Sequence, residues 1–319
     1  MNPTDCSNRI AEEAGRLLTE GTVDVVIGFE KGSLPMRSTP CFVRTPQDSG
    51  KLVWNSFCSS NLSRYLKQFP GKVGIVAKGC DTRALVELIK EKQLNRESLV
   101  VIGVPCRGMI DGAGVLERCD GKRVSDVEER DDELVITGDS FRITLAREEF
   151  LHPACRVCFT GNPVLFDVLI GEKVQEQARD CYHDVSDFES RSPGDRWAYI
   201  MSEMDRCIRC YACRNACPLC YCGECFADAT RPQWVGRGAT GTDTLAFHVM
   251  RSMHLAGRCV ECGACRAACP TKVDIRTLNR KISSDIARLF DYRPGLRIDQ
   301  PAPLSSFKPD DSEEFILER

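Results

Sequence analysis

Two stretches of the chain share one cysteine spacing. Cys207, Cys210 and Cys213 stand two residues apart and lead to Cys217-Pro218; Cys259, Cys262 and Cys265 repeat the pattern and lead to Cys269-Pro270. Thiolates are soft ligands for iron or zinc, so the spacing must decide between them. Zinc sites usually read Cys-x-x-Cys, a long gap, then a second pair. Three cysteines at two-residue gaps closing on Cys-Pro suit a 4Fe–4S cube, and in two-cluster ferredoxins the fourth cysteine of each run ligates the other cluster. On that rule Cys207, Cys210, Cys213 and Cys269 hold one cube, and Cys217, Cys259, Cys262 and Cys265 the other. The alternative is a pair of zinc knuckles in a scaffold or assembly factor with no redox role.

A third set is scattered more widely. Cys80 follows the strand-like run Lys72 to Ala77, and Cys106 follows a second such run, Leu99 to Val104. Between them Thr82 to Lys92 has helical period, so the segment reads as a βαβ unit and implies a parallel sheet. Ligands bind beyond the carboxyl ends of strands in such sheets. If the two strands are neighbours, both thiols converge there, and Cys155 and Cys158 in a later loop complete four ligands for a further 4Fe–4S cluster. Cys6, Cys41, Cys58, Cys119 and Cys181 lack such spacing and read as structural, with Cys181 a reserve ligand. Cys220, Cys222 and Cys225 lack an evident fourth partner and read as free thiols beside a cluster loop.

The elements that must position these residues follow from periodicity. Ile10 to Leu18 and Leu62 to Phe69 read as helices, Val23 to Phe29 as a strand, and Leu134 to Thr137 with Phe141 to Leu145 as a hairpin around Gly138-Asp139. A helix is expected from about Thr242 to Ala256, with Leu245, Val249 and Met253 on its apolar face. Another is expected from Asp274 to Phe290, with Ile275, Leu278, Ile282, Ile286 and Leu289 on one face. Arg206, Arg209, Arg214, Arg258 and Arg266 flank the cysteine runs, where they would tune potential, guide an acidic partner or merely form a solvated face. His152, His183, His248 and His254 form no metal pattern and read as ordinary polar residues.

Composition narrows the class. The chain has 319 residues, twenty of them cysteine, with a formal net charge of −3. That charge leaves no basic footprint, which argues against nucleic acid as a partner. No apolar stretch approaches the length of a membrane span, and the N-terminus has no signal-peptide pattern. Cysteine this abundant without a signal points to metal binding in a cytoplasmic protein. No G-x-G-x-x-G, P-loop or hydrolytic triad is visible.

The glycine-cysteine turn at Cys80 before a helix, the IGVPCRG stretch around Cys106 and CRVCFTGNPVLFDVLIGE from Cys155 together resemble the beta-subunit family of deazaflavin-coenzyme-dependent hydrogenases and formate dehydrogenases. The resemblance covers about residues 20–175. It implies a cluster held by Cys80, Cys106, Cys155 and Cys158 beside a flavin, with electrons passing between that flavin and a metal-bearing catalytic subunit. Two features depart from the family: the ferredoxin-like module lies C-terminal, and the family's Ser-Gly-Gly stretch at the flavin is replaced by the bulkier Asn55-Ser56-Phe57-Cys58-Ser59-Ser60.

The expected architecture is an α/β N-terminal domain with a parallel βαβ core (1–190), a mostly helical two-cluster ferredoxin-like domain (196–291) and an extended acidic, proline-containing tail (292–319). The expected cofactors are three 4Fe–4S clusters, with FAD the one further group the resemblance allows and no stoichiometric flavin expected on the isolated chain. The expected function is electron transfer within an anaerobic multi-subunit redox complex. It would run between a flavoprotein of heterodisulfide-reductase type and a formate dehydrogenase or hydrogenase catalytic subunit, with no bond chemistry in this chain. The alternative is a flavoenzyme subunit that itself reduces a deazaflavin or nicotinamide coenzyme.

Overall fold

The computed structural model describes residues 2–176 and 182–306. Cys181, the reserve ligand, and the acidic run 310–314 lie outside the described residues. Helix α1 (Pro3–Thr19) is capped by Asn2, whose side chain accepts the Asp5 N–H at 2.8 Å, and buries Cys6, Ile10, Ala14 and Leu17 at helical spacing. Strands β1 (Val25–Lys31) and β2 (Ser38–Val43) pair antiparallel. The segment expected to be an α-helix from Leu62 is a 3₁₀ helix, Leu62–Gln68. It is pinned early, with Ser63 Oγ donating to Asp81 O at 3.0 Å, and ends at Phe69, which Pro70 holds extended.

The βαβ unit is present as β3 (Val73–Ala77), α2 (Gly79–Lys90) and β4 (Leu99–Gly103), with register from Val73 opposite Leu99 to Ala77 opposite Gly103. Helix α3 (Gly112–Arg118) leads into an antiparallel sheet of β5 (Val124–Arg130), β6 (Glu133–Gly138) and β7 (Arg142–Ala146), whose last two strands are the expected hairpin. The short helix α4 (Pro153–Arg156) precedes β8 (Val168–Leu169). The main sheet has the order β2-β1-β3-β4-β8, and β1, β3, β4 and β8 pair in parallel. β1, β3 and β4 are nearly continuous buried apolar runs, as strands covered on both faces must be.

Helices dominate the remainder: α5 (His183–Glu189), α6 (Pro193–Asp205), α7 (Ala212–Asn215), α8 (Gly241–His254), α9 (Ala264–Ala267) and α10 (Arg276–Phe290). Two expected faces differ. In α8 the residues turned inward are Thr244, Phe247, His248, Arg251 and Ser252, whereas Val249 and Met253 are exposed. Phe247 packs with Ala227 and Val235, while His248 and Arg251 on the same side meet the cysteine runs. In α10 Ile286 is buried but Leu289 is exposed, and Asn279, Arg280 and Ser283 fill the inner face.

The two halves share a core. Ala84 and Leu88 of α2 pack with Leu219, Leu255 and Val260, and Arg83 donates to Pro294 O at 2.9 Å and Val260 O at 3.2 Å. Glu91, just past α2, takes both Arg258 and the Tyr221 hydroxyl. Among the described residues no helix is long and apolar enough to cross a membrane.

Candidate iron–sulfur centres

Because β3 and β4 end level with one another, the turns beyond them present Cys80 and Cys106 side by side. The third loop is stitched to them: His152 N–H donates to Met109 O at 2.9 Å and Cys106 N–H to Gly161 O at 2.8 Å. Cys80, Cys106, Cys155 and Cys158 line one cavity of about 310 Å³. Glycine at position 79 is dictated by space, since a Cβ there would lie 2.2 Å from Thr160 O. Gly108 has φ +93°, a conformation other residues rarely adopt.

The chemistry of this donor set fits an iron–sulfur cluster. The N–H of Gly108 points at Cys106 Sγ and that of Met109 at Cys155 Sγ, each at 3.3 Å. Such bonds favour the thiolate and tune a cluster's potential. Lys78 is fully buried on the cavity wall, paired with Asp81 at 3.0 Å and donating to Ser60 O at 2.8 Å. Arg147 is also buried and clamps the Cys106 turn by donating to Arg107 O at 2.8 Å and Gly108 O at 2.5 Å. Burial pushes the Cys106 thiol up to about 12 and Cys158 up to about 11, and carries Cys80 well above the ordinary range. Thiols so placed hold their protons at neutral pH until a metal displaces them.

Around the second run, Cys217, Cys259, Cys262 and Cys265 line a separate cavity, the set expected from the crossed-ligand rule. Cys262 lines both cavities. A Cβ on Gly263 would lie 2.5 Å from that of Ala154, the neighbour of Cys155, so the N-terminal site and the second run are in contact. Burial pushes Cys213 of the first run up to about 11, with Cys265, Cys207 and Cys269 adding to the shift. Burial likewise raises Cys207, with the charges of Cys269 and Cys210 contributing. Cys217 thus shares a cavity with second-run cysteines, and the charge of Cys269 reaches Cys207 and Cys213 of the first run. Cys210 is exposed.

The runs also share a backbone form. Arg209 and Tyr211 of the first have φ of 55° and 60°, and Glu261 and Gly263 at the matching positions of the second have 58° and 72°. Arg209 N–H approaches Cys207 Sγ at 3.4 Å and Val273 N–H approaches Cys269 Sγ at 3.3 Å. Arg280 of α10 holds Glu261 at 2.9 Å and Asp184 at 2.7 Å. Among the described residues no group of three or more His, Cys, Asp or Glu is disposed to hold a single metal ion.

Other expected residues fall variously. Cys6, Cys41 and Cys58 are packed in the main core and Cys119 in the core under the antiparallel sheet. Cys220 abuts Cys217, whose hydrogen bond, ahead of burial, drives the Cys220 thiol sharply upward; Cys222 is exposed. Most of the flanking arginines are structural: Arg206 pairs with Glu203, Arg214 with Asp228 and Arg258 with Glu91, while Arg209 donates to Asp243 O at 2.6 Å. Arg266 lines the N-terminal cavity. In the segment Asn55 to Ser60, Ser56 N–H donates to Glu129 and Phe57 N–H to Asn55. Sequence reasoning passed over Lys78, Arg147 and Arg251 and read His248 as an ordinary polar residue, because buried cations and histidines carry no spacing signature.

Residues 71–181 match the family model for the C-terminal region of the coenzyme F420 hydrogenase/dehydrogenase beta chain. Over 93% of its length the chain is 21% identical to the F420-dependent formate dehydrogenase subunit beta of Methanocaldococcus jannaschii, covering 93% of that protein. It is 23% identical over 96% of its length to the F420-dependent formate dehydrogenase 1 subunit beta of Methanococcus maripaludis, covering 95%. A solved chain of the F420-reducing NiFe hydrogenase complex from Methanosarcina barkeri is similar over 48% of this chain and 59% of its own, with 18% identity and a TM-score of 0.39.

Proposed function

We propose that the chain, whose residues 71–181 match the family model for the beta subunit of coenzyme F420 hydrogenases and dehydrogenases, is the iron–sulfur relay subunit of a larger redox complex. The observation that carries this reading is Cys262, which lines both the N-terminal cavity and the cavity of the second run. Electron transfer weakens steeply with distance, and a wall shared by two ligand sets is what a relay requires.

In this reading Cys80, Cys106, Cys155 and Cys158 hold one 4Fe–4S cluster, Cys217, Cys259, Cys262 and Cys265 a second, and Cys207, Cys210, Cys213 and Cys269 a third. When bound, such cubes take up and pass on single electrons. The residues set the order: N-terminal set, second-run set, then first-run set, with exposed Cys210 at the outer end where a partner can approach. Lys78 and Arg147 offset the negative charge of the N-terminal ligands and keep the Cys106 turn in place. The partners are a flavoprotein of heterodisulfide-reductase type and a formate dehydrogenase or hydrogenase catalytic subunit, as the relatives' names suggest for the latter.

The test is a stepwise dithionite titration of anaerobically purified chain, combined with identification of the proteins that co-purify. Uptake of about three electrons per chain, with a flavoprotein and a metal-bearing catalytic subunit bound, is the expected result. A chain that reduces F420 or a nicotinamide coenzyme alone, and releases flavin on denaturation, would be a flavoenzyme instead.

A further inference from the structure

Helix α8 occupies the segment between the two cysteine runs, and its inward face carries polar residues beside Phe247. Two residues on that face, one helical turn apart, meet the candidate ligands. His248, buried, places Nε2 3.3 Å from Cys207 Sγ. Arg251, only 2% exposed, donates from Nη2 to Cys213 O at 3.1 Å and lines the same cavity as Cys217, Cys259, Cys262 and Cys265. Its Nε and Nη1 have no nitrogen or oxygen partner among the described residues, no Asp or Glu there pairs with it, and the side chain it hydrogen-bonds is that of Cys220. The thiol charges it faces are those of Cys220, beside the first run, and of Cys217, Cys265 and Cys213, drawn from both runs.

A guanidinium buried without a counter-ion is heavily penalised, and arginine does not escape by losing its proton. The fold therefore places a permanent cation where only thiolates and what they bind can neutralise it. We propose that α8 is an electrostatic tuning element, in which Arg251 is a positioning residue whose charge raises the reduction potentials of both C-terminal clusters together, and His248 adds a hydrogen bond at Cys207 alone. The inference rests on the cluster reading above. Each cube gains one electron, and hence one unit of negative charge, on reduction, so a fixed cation beside it favours the reduced form. An iron-bound thiolate can only accept, which makes His248 Nε2 the donor. No proton transfer is involved. Electrons arriving from the N-terminal site would thus meet two more accepting centres in succession.

The experiment is a potentiometric titration followed by electron paramagnetic resonance, on the anaerobically prepared full chain and on Arg251→Gln, Arg251→Lys and His248→Leu. Arg251→Gln should lower the midpoints of both C-terminal clusters and leave the N-terminal one in place, at full iron content. Arg251→Lys should restore both midpoints towards their original values. His248→Leu should lower only the first-run cluster. Unmoved midpoints in an iron-replete Arg251→Gln protein would overturn the proposal, as would equal shifts in the Gln and Lys variants. If Arg251→Gln loses its clusters, Arg251→Lys decides: retained iron and midpoints support the role of charge, and loss there too means the side chain merely packs. Unmutated protein without two C-terminal cluster signals would instead remove the relay reading itself, and this inference with it.

Discussion

A methyl group on residue 79 would sit 2.2 Å from the Thr160 carbonyl oxygen and 2.9 Å from that of Asn162, so the loop that brings Cys158 towards Cys80 tolerates only glycine. Gly79→Ala should push that loop off the α2 terminus, cost about 1–3 kcal/mol of stability by overpacking, and lower iron binding at the N-terminal site. Thermal melting and iron analysis of the variant check both. Cys106→Ser should remove roughly a third of the iron and leave the C-terminal signals intact. Cys217→Ser should damage the cluster of the second run although it lies in the first, because Cys217 lines the second-run cavity. Loss of the first-run signal in that variant would mean the ligands do not cross. The grouping of these cysteines around two cavities was readable in the sequence, because their spacing within a run and their place after the ends of strands both leave a local pattern. Arg251 and His248 were not, since one arginine in a charged helix looks the same whether it faces water or a ligand set.

Periodicity located α2, α8 and α10 to within a few residues, but it misassigned the inner face of α8 and part of that of α10. The assumption behind it is that a helix buries its apolar stripe. Here the inner faces carry Arg251, His248, Arg280 and Asn279, and Arg251, Asn279 and Arg280 line the cavity of the second run. Arg280 shows how such a face stabilises an element. Burial works to raise the Asp184 carboxyl, but hydrogen bonds and charge from Arg280, with charge from Arg276, outweigh it and hold it below the usual carboxylate range. A carboxylate whose folded pKa is depressed contributes stability that is complete above its unfolded value, about 4, and lost as pH falls through the lower folded value. The α5–α10 junction should therefore loosen in acid below about pH 4. Arg280→Gln should weaken that junction already at neutral pH and free the Glu261 loop of the second run. Hydrogen exchange of α5 and of residues 259–263 across pH reads both effects, and an unchanged acid profile in the variant would contradict them.

The whole molecule joins its halves more tightly than the expected division between residues 190 and 196 suggests. Residues 190–195, between and at the ends of α5 and α6, are exposed and open to a protease. Yet Arg83 and Leu88 of α2 contact residues beyond 215, and Tyr292 donates to the buried Glu87 at 2.9 Å. Cleavage there should leave both fragments associated on native gel filtration and separable only in denaturant, while fragments that part spontaneously would contradict the shared core. That core is long-range in sequence, which is why neither composition nor motif spacing announced it. The contact matters because it brings the N-terminal site against the second run at Gly263 and Ala154, the closeness that the proposed relay needs.

The most direct measurement is the iron and acid-labile sulfide content of the full-length chain prepared without oxygen, taken together with its reduced-state magnetic resonance spectrum. Twelve cysteines in three sets of four call for about twelve irons and twelve sulfides per chain, with three distinguishable cluster signals. A content near eight of each, unchanged by Cys106→Ser, would show that the N-terminal thiols are merely packed and that the relay lacks its first centre.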